Sequence, residues 1–215
     1  MKRLLQIVAA VVIAAGVAWL FVRSAQSSRS EPYTLVADHL RGWTVVLDPA
    51  PDASGVLVAL RPPQALAPRL FQQVFSRAME SLNAPASPAM PLVLQQEFEQ
   101  AFSGRVAPDL LLAAARDVRL EDTAIEAVCL AHKRESTAGA TRQLYFALFR
   151  APAFQAFREK AASMIATAGG AATAFDPNLL HPMVIIGASD PAFRRWFPLA
   201  GDPQALCVAP IVVTR

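Results

Sequence analysis

The stretch Val-Leu-Val-Ala-Leu-Arg-Pro-Pro-Gln at residues 56–64, with the helix-spaced residues that follow it, decides the fold class. Val56–Leu60 is a continuous apolar run of strand length, which is typical of a buried strand. After the Pro62-Pro63 pair, large apolar residues recur at helical spacing up to Leu82, which predicts an amphipathic helix. A buried strand that leads into such a helix indicates a domain with mixed α and β layers.

A second strand–helix unit follows in the C-terminal half of the chain. Residues 143–149 predict a strand, and the apolar spacing from Phe154 to Ile165 predicts an amphipathic helix. A short apolar strand is predicted after each helix, at 91–94 and at 183–187. We therefore expect a single α+β domain with two similar strand–helix lobes.

Further elements are predicted between and beside these two units. Pro108 is typical of a helix start, because proline fits the first turn of a helix. Residues 97–102 predict a helical turn, and the polar residues 133–141 predict a loop. Three more strands are predicted at Trp43–Leu47, Ile125–Ala131 and Cys207–Val213.

The N-terminal segment combines Lys2 and Arg3 with an uncharged, mostly apolar run from residue 4 to residue 22. A helix of about 20 apolar residues spans a bilayer, whereas the apolar region of a cleaved signal peptide usually has roughly 7–15 residues. We therefore expect residues 1–23 to form an N-terminal transmembrane helix, an anchor or uncleaved signal. Residues 24–32 then form a polar tether, and 33–215 form the α+β domain. Cleavage of the segment stays open.

The basic residues of the N-terminal segment also predict its orientation. Lys2 and Arg3 precede the apolar run, and the positive-inside bias places such an end in the cytoplasm. The chain has 17 arginines against 3 lysines, which is typical of a GC-rich bacterial genome. These features predict a single-pass protein of the bacterial inner membrane, with its domain in the periplasm.

The charge balance argues against a nucleic-acid partner. The formal net charge is +3, and Lys2, Arg3 and Arg23 account for all of it, because no acidic residue precedes Glu31. The rest of the chain is formally neutral, and its densest basic groups are pairs of residues. A protein that binds nucleic acid normally carries a basic stripe against the phosphates.

Four segments resemble the two-histidine (2H) phosphoesterases, the superfamily that includes bacterial RNA 2′,3′-cyclic phosphodiesterases. Residues 56–75 resemble the opening strand and helix of that family, and residues 143–162 resemble the same unit in its second lobe. His181-Pro182-Met183-Val184-Ile185-Ile186-Gly187 resembles the second family motif, commonly Pro-His-Val-Thr-Ile/Leu-Gly. Pro91-Leu92-Val93-Leu94 lies where the first motif would fall. The resemblance implies two lobes that share a cleft, each with one strand bearing His-x-Thr/Ser.

The catalytic residues of that family are missing from this sequence. The family chemistry needs two groups with a pKa near neutral pH, one that accepts a proton and one that donates a proton. Each of the three histidines is followed two positions later by Arg or Met, so no His-x-Ser/Thr motif occurs anywhere. A 2H-like cleft would instead be lined by Pro91, Val93, Gln95, Met183 and Ile185.

Two weaker candidates for chemistry remain. His181 would share a strand face with Met183 and reach the cleft rim as a single base; the alternative is that it caps a loop beside Pro182. Four potential metal ligands are spaced by three, which would align them on a helix. The predicted strand disperses them, so neither a metal nor another cofactor is expected. These four residues are Glu126, Cys129, His132 and Glu135.

Cys129 and Cys207 are the only cysteines in the chain. In an oxidising periplasm they can form a disulfide. Closing a loop of about 80 residues in this way contributes about 4 kcal/mol in the chain-entropy model. Two buried apolar thiols are the alternative.

The sequence as a whole predicts a membrane-tethered periplasmic domain that binds rather than catalyses. It would be a catalytically inactive 2H phosphoesterase-like module, held in the membrane through residues 4–22, whose partner is an envelope protein or a small apolar ligand. Two alternatives stay open. One is a phosphoesterase or other hydrolase with altered catalytic residues, and the other is a structural envelope protein without a ligand cleft.

Overall fold

The computed structural model describes residues 31–48, 55–78, 80–137, 139–190, 199 and 201–215, with five helical positions between residues 13 and 19. Over these residues the chain forms an α+β domain. The helices are α1 (Leu66–Arg77), α2 (Pro108–Asp117) and α3 (Pro152–Thr167). The strands are β1 (Tyr33–Val36), β2 (Thr44–Leu47), β3 (Val56–Arg61), β4 (Met90–Leu94), β5 (Glu126–Thr137), β6 (Ala140–Arg150), β7 (Met183–Ala188) and β8 (Cys207–Thr214).

The described strands form two sheets. The larger sheet has the order β1-β8-β5-β6-β7, in which β1 pairs with β8 in parallel and the other neighbours are antiparallel. The smaller sheet has the antiparallel order β2-β3-β4. The edge strands β4 and β7 lie next to each other, so the two sheets meet along this line.

The larger sheet buries apolar side chains on both faces. Along β7, Val184 and Ile186 belong to the main core, whereas Met183 and Ile185 belong to a second, smaller cluster. This alternation follows from the strand period of two. The three helices pack on the main-core side, and Leu199 and Leu206 help to cover the other side. The continuous apolar runs in the sequence therefore correspond to strands that are buried on both faces.

A buried ion pair joins α3 to the end of β4. The Arg158 side chain is fully buried, and its Nη2 lies 2.7 Å from Glu97 Oε1. Its guanidinium also donates to the main-chain carbonyls of Leu92, Asp176 and Pro177, and it lies 4.3 Å from the centre of the Phe175 ring. All five N–H donors of the guanidinium are therefore satisfied. No sequence pattern predicted this pair.

Helix α1 is shorter than its apolar spacing predicts. It ends at Arg77, and Ala78 is extended, although Leu82 still keeps the helical spacing. Two tertiary interactions explain the difference. The main chain of Asn83 pairs with Ala188 on β7, and the side chain of Glu80 is hydrogen bonded to β6. These contacts with the larger sheet replace the last helical turn.

The polar loop predicted at residues 133–141 is wrong, because β5 and β6 form one long hairpin. Cross-strand pairs continue out to Thr137 and Ala140, and Gly139 at the turn has φ +93°. Glycine adopts positive φ without a steric penalty, so Gly139 suits the connection between the two strands. The polar residues here lie beyond the core, so they resemble a loop in composition while remaining strand in conformation.

Other predictions agree with the structure or lie outside its described part. The strand–helix unit predicted at 56–82 is confirmed up to residue 77, and the unit at 143–167 and the strands near 91–94, 183–187 and 207–213 are confirmed. The helical turn predicted at 97–102 is confirmed as part of a short helix, α-helical over Gln95–Glu97 and π-helical over Phe98–Phe102. Strand β1 was not predicted. Most of the predicted anchor and tether lies outside the described residues, and no helix among those described is long and apolar enough to cross a membrane.

Candidate functional site

Two cavities lie at the two ends of α1. The larger one, which we call the apolar groove, has a volume of about 850 Å³ and lies beside the N-terminal half of the helix. Its walls come from Gly42, the end of β3 and the segment that leads into α1, the first turns of α1, the loop 84–88 and one residue of β7. Its apolar lining is Pro62, Pro63, Ala67, Pro68, Phe71, Ala84, Pro85, Ala86, Pro88 and Ile186, and its polar lining includes Arg61, Gln64, Gln72 and Ser87.

The wall formed by Phe71 depends on a glycine in β7. A Cβ atom at Gly187 would lie 3.2 Å from Phe71 Cε2, which is closer than an ordinary van der Waals contact. Glycine within a strand often marks such a close approach. On its other side, Phe71 stacks on Phe75 with ring centres 5.8 Å apart. Phe71 is thus held between Gly187 of β7 and the ring of Phe75 on the same helix.

The smaller cavity, which we call the polar cavity, has a volume of about 210 Å³ and lies at the C-terminal end of α1. The hairpin β5–β6 supplies its floor, because His132 pairs with Tyr145 and Arg134 pairs with Gln143 across the strands. The rings of His132 and Tyr145 stack with centres 4.5 Å apart. Four polar side chains therefore stand on one face of the sheet.

Glu80 and Gln143 connect these side chains. The Tyr145 hydroxyl donates to Glu80 Oε1 at 3.1 Å, and Gln143 Nε2 donates to Glu80 Oε2. The other end of the Gln143 amide, Oε1, accepts from Arg134 Nη2 at 3.4 Å and lies 2.9 Å from His132 Nε2. Because Oε1 can only accept, His132 Nε2 carries a proton in this arrangement.

Tyr33 and Arg77 close another side of the polar cavity. The Arg77 guanidinium lies 4.2 Å from the centre of the Tyr33 ring and donates to the carbonyls of Glu31 and Pro32. Burial raises the pKa of the Tyr33 hydroxyl above its usual value, and the neighbouring Arg77 opposes part of that rise. Tyr33 is therefore held in its neutral form.

The five residues predicted to line a 2H-like cleft lie in different places. Pro91 and Val93 are buried on β4, and Gln95 begins the helical turn after it, half-buried. Met183 and Ile185 lie on the opposite face of β7 from the main core. None of the five lines the apolar groove or the polar cavity. The structure therefore places β4 next to β7, but it does not bring these five side chains together in one cleft.

The weaker candidates for catalysis and for metal binding also lie apart from one another. His181 is half-buried in the segment that enters β7. Glu126 is paired with Arg150 and Glu135 with Lys133, while His132 faces the polar cavity. Glu126 and His132 are six residues apart on a strand, which is about 20 Å. Within the described residues, no group of three or more His, Cys, Asp or Glu side chains could hold a metal ion.

Cys129 and Cys207 form a disulfide between β5 and β8, with their Cα atoms 5.8 Å apart. Cys129 is buried in the smaller apolar cluster, on the face of β5 opposite Leu130. The disulfide lies three residues before His132 and one before Val208, both of which line the polar cavity. It therefore ties together two strands that form this cavity.

Glu80, Gln143 and Tyr145 were not predicted as site residues. The available signal was the alternation of polar or amphipathic side chains at 132 and 134 on β5 and at 143 and 145 on β6. This signal has meaning only if the two strands pair in the observed register. Glu80 carried no signal, because it falls within the predicted helix.

No protein-family model matches the chain, and no curated protein or solved structure matches it significantly.

Proposed function

We propose that the chain is a membrane-tethered binding module of the bacterial periplasm, similar to 2H phosphoesterases but without their catalysis, that holds an apolar ligand. The observation that carries this proposal is the apolar groove, a cavity of about 850 Å³ lined mainly by proline, alanine and phenylalanine. This volume falls in the range of roughly 300–1,000 Å³ that is typical of small-molecule sites.

The relation to 2H phosphoesterases is supported by the placement of two strands. β4 and β7 carry the positions that match the family motifs, each follows a long helix, and the two lie side by side. Apolar residues replace the catalytic pairs: Pro91 and Val93 on β4, and Met183 and Ile185 on β7. Without two bases, proton transfer of the family type has no donor and acceptor.

The polar rim of the groove indicates how a ligand would lie in it. Arg61, Gln64 and Gln72 are exposed at the groove, and no acidic residue lines it among the described residues. An apolar body can then rest against Phe71 and the prolines, while a polar or anionic end faces Arg61. An amphiphile with one acyl chain has this character.

The predicted anchor makes such ligands available. The tether of residues 24–32 is nine residues long, so it can extend at most about 30 Å. Strand β1 follows directly and is hydrogen bonded to Gln73 of α1. The groove on the same helix would therefore stay close to the membrane surface.

Photolabelling tests this proposal. We would reconstitute the full chain in phosphatidylcholine nanodiscs, add a fatty acid that carries a diazirine, irradiate, and map the label by mass spectrometry. The label is expected on peptides containing residues 61–72 and 84–88. Ala86→Trp should fill the groove and lower that labelling at least fivefold. Ala113→Trp, an exposed alanine on α2, is the matched control and should leave it unchanged. Labelling spread over the surface, or unaffected by Ala86→Trp, would overturn the proposal.

A hydrolase with altered residues is the second candidate, and the position of His132 in the polar cavity favours it. A histidine linked through Gln143 to Glu80, beside Tyr145, has the hydrogen-bond partners of an acid–base group. The test is hydrolysis of a 2′,3′-cyclic nucleotide by the full chain. Turnover that is lost in His132→Ala and kept in His181→Ala would favour this candidate over the binding module.

A further inference from the structure

The polar cavity contains more hydrogen-bond donors than acceptors. Arg77 and Arg134 line it with one guanidinium each, and Glu80 is the single carboxylate in its described lining. Both Glu80 oxygens already accept hydrogen bonds, from Gln143 and Tyr145. Neither guanidinium forms an ion pair with a described residue. The described lining of the cavity thus has a net positive charge, and its two guanidinium groups have N–H donors that can bind an acceptor.

The Gln143 amide fixes the direction of these donors. Its Oε1 accepts from Arg134 and faces His132 Nε2, while its Nε2 is anchored on Glu80. Turning the amide over would break the bonds at both ends, because Glu80 oxygens can only accept. Glu80 is therefore a positioning residue, which holds Gln143 and through it Arg134 and His132.

The remaining walls of the polar cavity are apolar. Val74 of α1, Ala78 directly after the helix and Val208 of β8 contribute them. With a volume of about 210 Å³, the cavity is smaller than the roughly 300 Å³ at which drug-sized sites begin. It fits a compact molecule with one anionic group against the arginines and a small apolar body.

From this arrangement we propose that the polar cavity is a second binding site, distinct from the apolar groove, for a small organic anion. The anionic oxygens accept hydrogen bonds from Arg134 and Arg77, and Val74, Ala78 and Val208 contact the body of the ligand. Guanidinium groups bind carboxylate and phosphate oxygens with paired N–H donors, so both anions share the chemistry that this site requires.

Calorimetric titration of the full chain in phosphatidylcholine nanodiscs tests this site. The probes are inorganic phosphate and, in a separate arm, propionate, which distinguish a phosphate group from a carboxylate. We expect saturable binding of at least one probe, with an affinity at least tenfold lower in Arg134→Gln. The matched control is Arg150→Gln, which removes an equal charge from an exposed arginine on the same sheet, and it should leave the affinity within twofold.

Two results would overturn the second site. One is the absence of saturable binding of both probes, and the other is an equal loss of affinity in Arg134→Gln and Arg150→Gln, which would indicate attraction by net charge alone. Tyr145→Phe keeps both arginines and the ring stack but removes the hydrogen bond to Glu80. It should weaken the binding by two- to tenfold. The fatty-acid labelling of the apolar groove, measured on the same Arg134→Gln sample, separates failure of this site from failure of the groove.

Discussion

The two ends of helix α1 form opposite environments from one short element. At its N-terminal end, proline, alanine and Phe71 line an apolar groove, whereas at its C-terminal end Arg77 and Glu80 take part in a polar cavity. The difference comes from what each end packs against. The groove meets a proline-rich loop, and the cavity meets the part of the β5–β6 hairpin that extends beyond the core. The comparison shows how one helix can separate two kinds of cavity.

The largest expected effect comes from outside both cavities. Arg158→Met leaves Glu97 buried without its partner, and breaking a buried pair in this way typically costs about 3–5 kcal/mol. Urea unfolding of the full chain should show this loss, and binding at both cavities should fall together because they share one core. The double variant Glu97→Leu/Arg158→Met, which has no unpaired charge, should regain part of the stability. A loss below about 1 kcal/mol would show that the pair is not needed.

Reduction of the Cys129–Cys207 disulfide should affect the two cavities unequally. The disulfide closes a loop between residues 78 apart, and removing a native disulfide typically costs about 2–5 kcal/mol. It joins β5 and β8, which contribute His132, Arg134 and Val208 to the polar cavity, and Cys129 lies in the smaller apolar cluster, whereas the buried residues of α1 lie in the main core. Hydrogen exchange should therefore increase more at residues 129–134 than at residues 61–72. Equal increases in both regions would contradict the proposed separation.

Replacing Glu80 should affect the polar cavity and not the groove. Glu80→Gln leaves one acceptor for the two donors, Tyr145 and Gln143, that Glu80 holds. A hydrogen bond contributes roughly 0.5–1.5 kcal/mol, so affinity for an anion should fall about two- to tenfold as Gln143 and Arg134 lose their fixed positions. Glu159→Gln, an exposed glutamate on α3, is the control for net charge. Calorimetry with phosphate measures both, and equal effects would count against a local role for Glu80.

The smallest effect concerns alkaline pH and Tyr33. Burial raises the pKa of Tyr33 in the folded protein above its value of about 10 in the unfolded chain. Its contribution to stability is therefore complete below pH 10 and is lost as the pH rises through the folded pKa. Between pH 9 and pH 11.5, the free energy of unfolding should fall less steeply with rising pH for Tyr33→Phe than for the natural chain. Parallel curves would show that Tyr33 does not titrate in this way.

The sequence predicted the groove side of the comparison better than the cavity side. β3, the start of α1 and α3 follow from local apolar spacing, which depends only on neighbouring residues. The polar cavity depends on the register of β5 and β6 and on the early end of α1, which tertiary hydrogen bonds to Glu80 and Asn83 determine. Strand β1 is four residues long, and its pairing with β8 joins the two ends of the domain, so no local pattern indicates it.

The central claim, that α1 separates an apolar site from an anion site, is tested most directly by crossing two variants with two readouts. Ala86→Trp and Arg134→Gln would each be measured for fatty-acid labelling of residues 61–72 and for phosphate or propionate binding, in the full chain in nanodiscs. If α1 separates the two sites, Ala86→Trp should lose only the fatty-acid labelling, and Arg134→Gln should lose only the binding of the anion. Loss of both functions in either folded variant would contradict it.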